Sequence, residues 1–363
     1  MFNIPAVLRQ PMPLFFLRGR PGARELMSFC YQFAALLNAG ITVLTGLEIL
    51  TKQADNSRLK LGLRAVTRRV EYGQSLAEAL AQEQKIFSPF FVGMIDAGET
   101  GGVLGETMQR LGIHYEKKSD LEKKIKTATA YPKFVFLVIL GVVAFLLAFV
   151  LPSFAGTFAG MGVEPPLPTK VLMAIGEGMR TYWQLILATG AGVYLIIFGV
   201  LKTKIGSYYA DQLWLCLPLF GILYRKVMVA RFCRTLSTLI GSGVGLLAAL
   251  ELTKNVVDSR VFAERIAKMS GSIIRGESVA ATLAGTSIFP LLVTGMVNVG
   301  EQAGRLDEML TRVADLYESE INYVVERLGS LLEPALVIFL SLVVGGIVLS
   351  VFLPLFGVFD LYL

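Results

Sequence analysis

The sequence predicts an all-α membrane protein: two homologous cytoplasmic helical-bundle domains of about six helices each, and three transmembrane helices. Three observations lead there. Hydrophobic residues make up 54% of the 363 and charged residues only 17%, against about a quarter charged in soluble domains. Uncharged runs long enough to cross a bilayer recur along the chain. And "FSPFFVGMIDAGETGGVLGETM" at 87–108 returns as "FPLLVTGMVNVGEQAGRLDEML" at 289–310.

The elements follow in chain order. Residues 1–23 form a short N-terminal segment, broken by prolines and without the apolar run of a signal peptide. Residues 24–133 read as the first helical domain. Helices are predicted at Arg24–Leu37, Thr42–Ala54, Ser57–Glu71, Ser75–Ala81 and Ser88–Ala97, then a longer one from Val103 toward Lys126. Ser75 with Glu78 makes a capping box, and Asp55–Ser57 is a helix-start signal. Leu104, Met108, Leu111 and Tyr115 recur at helical spacing and mark a buried stripe. Leu26–Leu47 carries no charge, yet it is not read as a span. Gln32, Asn38, Thr42 and Thr45 interrupt it, and Asn38-Ala39-Gly40 reads as a helix end with Gly40 free to take positive φ.

The first predicted span is 134–151, whose 18 uncharged residues rise about 27 Å as a helix. An outer loop at 152–180 follows, then a second span at 181–201, with Tyr182 and Trp183 at its interfacial start. Residues 202–228 read as a cytoplasmic linker, since "LWLCLPLFGILY" is too short to span and contains Pro218. The second domain is expected at 229–333, the third span at 334–356 and an outer tail at 357–363. Lys117, Lys118, Lys123, Lys124, Lys126 and Lys133 precede the first span, and Lys202, Lys204, Arg225 and Lys226 follow the second. The positive-inside rule then puts both domains and the N-terminus in the cytoplasm and the C-terminus outside.

The two domains align residue by residue. Phe29 meets Phe232, Cys30 meets Cys233, Gly40 meets Gly243 and Glu48 meets Glu251; "GQSLAEAL" at 73–80 meets "GESVAATL" at 276–283. After a one-residue slip, Gly98-Glu99 meets Gly300-Glu301, Gly102 meets Gly304, Tyr115-Glu116 meets Tyr317-Glu318, and Pro132 meets Pro334. The duplicated unit is therefore a helical domain followed by a membrane helix. Pro132 and Pro334 are expected to start the spans or kink them.

Catalytic chemistry finds little support. There is no phosphate-binding G-x-x-x-x-G-K-[ST] loop, and "GSGVG" at 241–245 follows no strand, so a helix–turn–helix corner explains it. His114 is the single histidine, which excludes histidine-pair metal sites; it is expected exposed or half-buried. Cys30, Cys216 and Cys233 lack ligand spacing and read as small buried apolar residues. No enzyme activity, cofactor or metal is predicted. The net charge of +6 is dispersed among acidic residues, which argues against nucleic acid and for acidic lipid headgroups.

What remains is the twin glycine–glutamate corner. Gly98 and Gly300 are expected to end one helix, and Gly102 and Gly304 to let the next begin. Glu99 and Glu301 are placed near that next helix's N-terminus, where the dipole favours a carboxylate. The plain reading is a corner that holds two helices; the functional one is a partner-docking corner. With Gly40, Gly243, Pro132 and Pro334, these are the candidate site residues.

The ordered series "LLNAGITVLTGLEIL", "MIDAGETGGVLGETMQRLGIHYE", "YPKFVFLVILGVVAFLLAFVLPSF", "PPLPTKVLMAIGEGM" and "VNVGEQAGRLDEMLTRVADLYESE" resembles the PilC/GspF-like platform proteins of type IV pilus and type II secretion machines. The resemblance covers nearly the whole chain, starting almost at "RGRPGARELMSF", later than in longer members. It implies a bacterial inner-membrane protein without catalytic residues that couples a hexameric cytoplasmic assembly ATPase to polymerisation of pilins or pseudopilins. It also implies other inner-membrane assembly proteins as partners, and a homo-oligomer. A small-molecule or ion transporter, or the platform of a tight-adherence or archaeal filament system, is the alternative.

Overall fold

The computed structural model describes residues 21–154, 167–203, 206, 208, 211–213, 218–257, 259–286 and 288–362. The expected N-terminal segment up to residue 20, residues 155–166 of the expected outer loop, and part of the linker including Cys216 lie outside them.

Among the described residues every regular element is a helix. The first repeat contributes α1 (Ala23–Asn38), α2 (Val43–Gln53), α3 (Ser57–Glu71), α4 (Leu76–Ala81), α5 (Pro89–Thr100) and α6 (Leu104–Phe145). Then come α7 (Leu167–Thr181) and α8 (Trp183–Lys202). The second repeat contributes α9 (Pro218–Gly241), α10 (Leu246–Val256), α11 (Arg260–Ile274), α12 (Val279–Ala284), α13 (Leu291–Ala303) and α14 (Leu306–Tyr362).

Local chemistry accounts for these boundaries. In α1, Leu26, Phe29, Cys30 and Phe33 recur at helical spacing and are all buried. The Asn56 side chain caps α3 by accepting from the Arg58 and Leu59 amides at 2.9 and 3.2 Å. Ser88 caps α5, whose first residue is Pro89, a position where a missing N–H costs nothing. The Leu26–Leu47 run breaks at Gly40 (φ 82°), and the Ile41 amide closes back on the Leu36 carbonyl at 3.0 Å. Its counterpart Gly243 (φ 86°) does the same through Val244 and Leu239, which makes "GSGVG" a helix–turn–helix corner.

The chain divides into two compact units. One contains the described residues up to Glu122 together with the segment ending at Ser319, so both repeats' short helices share it. Its core is aromatic at equivalent places. Phe29 lies 6.1 Å from Phe87, ring centre to ring centre, and their counterparts Phe232 and Phe289 lie 4.8 Å apart. Each such buried ring stabilises the fold by roughly 1.5–3 kcal/mol. Cys30 and Cys233 are buried and unpaired, and burial pushes both thiols up. Within this unit α5 packs on α10, where Gly93 lets the Leu252 side chain approach. His114 is buried, 7% exposed, with its ring 4.4 Å from that of Phe90, which corrects the expectation of an exposed or half-buried residue. A single polar residue on a helix does not reveal from sequence that a neighbouring aromatic will cover it.

The other unit holds the described residues of 123–214 and 320–363. Here α6 gives way to a π-helical turn at Leu146–Val150. Leu147, Leu151 and Ile347 form a small core with Leu172 and Met173 against it. Gly176 of α7 lies against the Leu147 carbonyl, where any side chain would collide. Thr169 donates to the Ser350 carbonyl at 2.6 Å. The apolar side chains of α8, Leu185 and Ile196 among them, are exposed on all sides, as in a membrane helix. Among the described residues two helices are long and apolar enough to cross a bilayer, within Leu104–Phe154 and at Trp183–Val200. A shorter apolar stretch, Pro334–Ser350, belongs to α14.

Pro132 and Pro334 are expected to start or kink the spans, and Pro334 does open the apolar stretch Pro334–Ser350. Each lies inside one continuous helix, Pro132 in α6 and Pro334 in α14. A proline forfeits one backbone hydrogen bond, but a helix already propagating on both sides absorbs that loss.

Candidate functional site: the paired glycine–glutamate corners

Each corner begins with a helix too short to satisfy its own ends. Helix α4 has six residues, and its first amides have no partner within the helix. Ser75 accepts from the Glu78 amide at 3.1 Å, and the Ser75 amide donates to Glu78 at 3.3 Å, closing the capping box. The two remaining amides point at Glu99. Leu76 donates to its Oε1 at 2.8 Å and Ala77 to its Oε2 at 3.0 Å. The second repeat has the same geometry: Val279 and Ala280 donate to the two oxygens of Glu301 at 2.8 and 3.1 Å, and Ser278 accepts from Ala281 at 3.1 Å.

Both carboxylates thus cap a helix N-terminus, but not the expected one. They reach back 21 to 23 residues to the earlier short helix rather than forward to the next. A hydrogen bond to a charged acceptor contributes about 1.5–3 kcal/mol, so each glutamate clamps α4 or α12 firmly against α5 or α13.

The glycines also have revised roles. Gly98 and Gly300 do not end their helices, which run to Thr100 and Ala303. They lie in the last turn, where their carbonyls accept the closing bonds from Val103 and Arg305, both at 2.8 Å. A side chain at Gly98 would strike Thr107, and one at Gly300 would meet Met309 at 2.9 Å, so both allow close crossing by the following helix. Gly102 and Gly304 take the left-handed turn itself, with φ 69° and 63°. The corners therefore join three helices each. Pro132 and Pro334 are not part of them. Among the described residues no three metal-ligating side chains converge.

The twin corners fall within two matches to one family description, the type II secretion system protein F domain, at residues 29–152 and 232–354. The chain belongs to the type II secretion protein F family. Within this family it is 36% identical to the type IV pilus assembly protein PilC of Myxococcus xanthus, over 92% of this chain and 80% of that protein. It is 39% identical to PilC of Thermus thermophilus, over 93% and 83%. Type II secretion system protein F of Xanthomonas campestris pv. campestris is 31% identical, over 95% and 86%.

One contact in this family member escaped the sequence reading. Tyr31 of the first repeat donates to Glu116, and at the equivalent place Arg234 of the second donates to Glu318 at 2.9 Å. The signal was the unlike pair Tyr31 and Arg234 opposite the like pair Glu116 and Glu318 in the repeat alignment.

Proposed function

We propose that the chain is the inner-membrane platform of a type IV pilus or type II secretion machine. In this reading it couples a hexameric cytoplasmic assembly ATPase to polymerisation of pilins or pseudopilins. The relatives' names support the class of machine. The coupling rests on one observation: the last helix of each repeat, α6 and α14, continues unbroken through its proline into an apolar stretch. A continuous helix transmits displacement along its axis, because a sharp bend breaks the backbone hydrogen bonds of at least one turn.

The topology that suits this role has cytoplasmic domains at 24–133 and 229–333, with spans at 134–151, 181–201 and 334–356. The N-terminus then faces the cytoplasm and the C-terminus the outside. The corners serve it by making each bundle rigid. With Glu99 and Glu301 engaged internally, the surface offered to a partner is the exposed ground beside them, such as Val103 in one repeat and Leu292 and Val299 in the other.

Co-purification tests the coupling. The full chain in detergent is expected to retain the assembly ATPase of its machine, and a strain lacking the chain to lose the fibres or the secreted product of that machine. Normal fibre assembly and secretion in that strain overturn the reading.

A further inference from the structure

Between the two repeats lies a cavity with about 540 Å³ of empty space, its open mouth included. Helix α6 of the first repeat presents His114, Lys117 and Lys118 to it, and α9 of the second presents Arg231, Arg234 and Thr235. Its lining carries four cations and a single carboxylate, Glu318. Arg234 is held by Glu318 and Asp315, and Lys117 stands 3.8 and 3.9 Å from the same two carboxylates. Leu121, Ala230 and Val256 supply an apolar wall.

Two polar atoms in the lining have no hydrogen-bond partner: Nδ1 of His114, a residue 7% exposed, and Oγ1 of Thr235, a residue 1% exposed. An unpaired buried polar group costs about 1–3 kcal/mol, so folding alone does not favour this pair.

The duplication provides an internal control. The positions that match His114, Lys117 and Lys118 hold Leu316, Ser319 and Glu320. Those that match Arg231, Arg234 and Thr235 hold Ser28, Tyr31 and Gln32. The fold therefore needs neither the cations nor the unpaired atoms. Tyr31 makes the glutamate contact that Arg234 makes, without bringing a charge. Ammonium, guanidinium, imidazole and hydroxyl groups meet where α6 and α9 line one cavity. Convergent Lys and Arg with a hydroxyl suit an anion with several oxygens.

We propose that this inter-repeat cavity is a binding site for a small phosphate-bearing ligand, its phosphoryl oxygens toward the cations and its body against the apolar wall. Arg234 and Lys117 exchange part of their contact with Glu318 and Asp315 for the ligand. The ligand is a soluble phosphate compound or a phospholipid headgroup. This inference goes beyond the platform role and stands without it.

Because His114 is the only histidine, one isotope-labelled imidazole reports on the site. The full chain is placed in phosphatidylcholine nanodiscs and titrated with inorganic pyrophosphate, and is also compared in phosphatidylglycerol nanodiscs without pyrophosphate. A shift of the imidazole signal at millimolar pyrophosphate supports the site with a soluble ligand. A shift in phosphatidylglycerol alone supports it with a headgroup. Lys118→Gln and Arg231→Gln are each expected to weaken the response about tenfold, while Lys85→Gln, an exposed cation away from the cavity, leaves it unchanged. The unliganded imidazole signal of each variant verifies its fold. No shift in either setting, or a shift that survives both cavity substitutions, overturns the proposal.

Discussion

Glu99 carries two backbone amides on one carboxylate, and the consequence is measurable. Glu99→Gln keeps the length but loses the charge, and is expected to lower stability by about 1 kcal/mol. Glu99→Ala leaves the Leu76 and Ala77 amides without their acceptor and should cost about 2–3 kcal/mol. Thermal unfolding of the full chain in detergent reads the loss, and faster hydrogen exchange at those two amides locates it. Unchanged exchange would remove the clamp from the account. At His114, burial holds the imidazole down at about 3 rather than 6.5, with Lys118 and Arg234 pushing the same way. The unfolded chain therefore takes up a proton as pH falls through 6.5 while the folded chain does not. Stability from the neutral ring is present above 6.5 and drains away toward 3. Substituting His114→Leu, the residue that the other repeat carries, should flatten that part of the stability–pH curve. An unchanged acid limb in a melting series would contradict the burial.

Helices in this chain are joined by glycines of two physical kinds, and substitutions separate them. Gly102 and Gly304 need positive φ, and Gly102→Ala should cost about 1 kcal/mol through backbone strain alone. Gly98 has ordinary helical geometry but lies against Thr107, so Gly98→Ala forces α5 and α6 apart and should cost about 1–3 kcal/mol. Pairing Gly98→Ala with Thr107→Ala recovers part of that loss in a melting experiment; no recovery would mean the crossing is not what Gly98 permits. Most helices were legible because their signals are local: Ser75 with Glu78, Asn56 before α3, Gly40 after α1. The corner glycines were legible as turns, but the division of labour between Gly98 and Gly102 was not. A crossing distance depends on a helix that the local pattern does not position. Pro132 lies inside α6, just ahead of its apolar stretch. Its dihedral preference marks a boundary in an isolated peptide, whereas here it is carried inside a long helix.

Taken whole, the chain makes a topological prediction. Tyr72 and Ile274 are exposed, each at the end of a short helix, and are not equivalent residues of the two repeats. Tyr72→Cys and Ile274→Cys should both react with a membrane-impermeant thiol reagent from the cytoplasmic side only. Cys30 and Cys233, buried with their thiols pushed up, should stay unlabelled in the parent. Labelling of the two sites from opposite sides would end the platform reading. By itself the sequence determined the helical class, the duplication, the apolar stretches and the family, because composition, period and repetition are properties of the chain read in order. Only the tertiary structure decided that Glu99 and Glu301 turn back to an earlier helix, and that His114 and Thr235 face a shared cavity. Those outcomes depend on which distant segments pack together, and packing is settled by shape and burial across the fold rather than by neighbours along the chain.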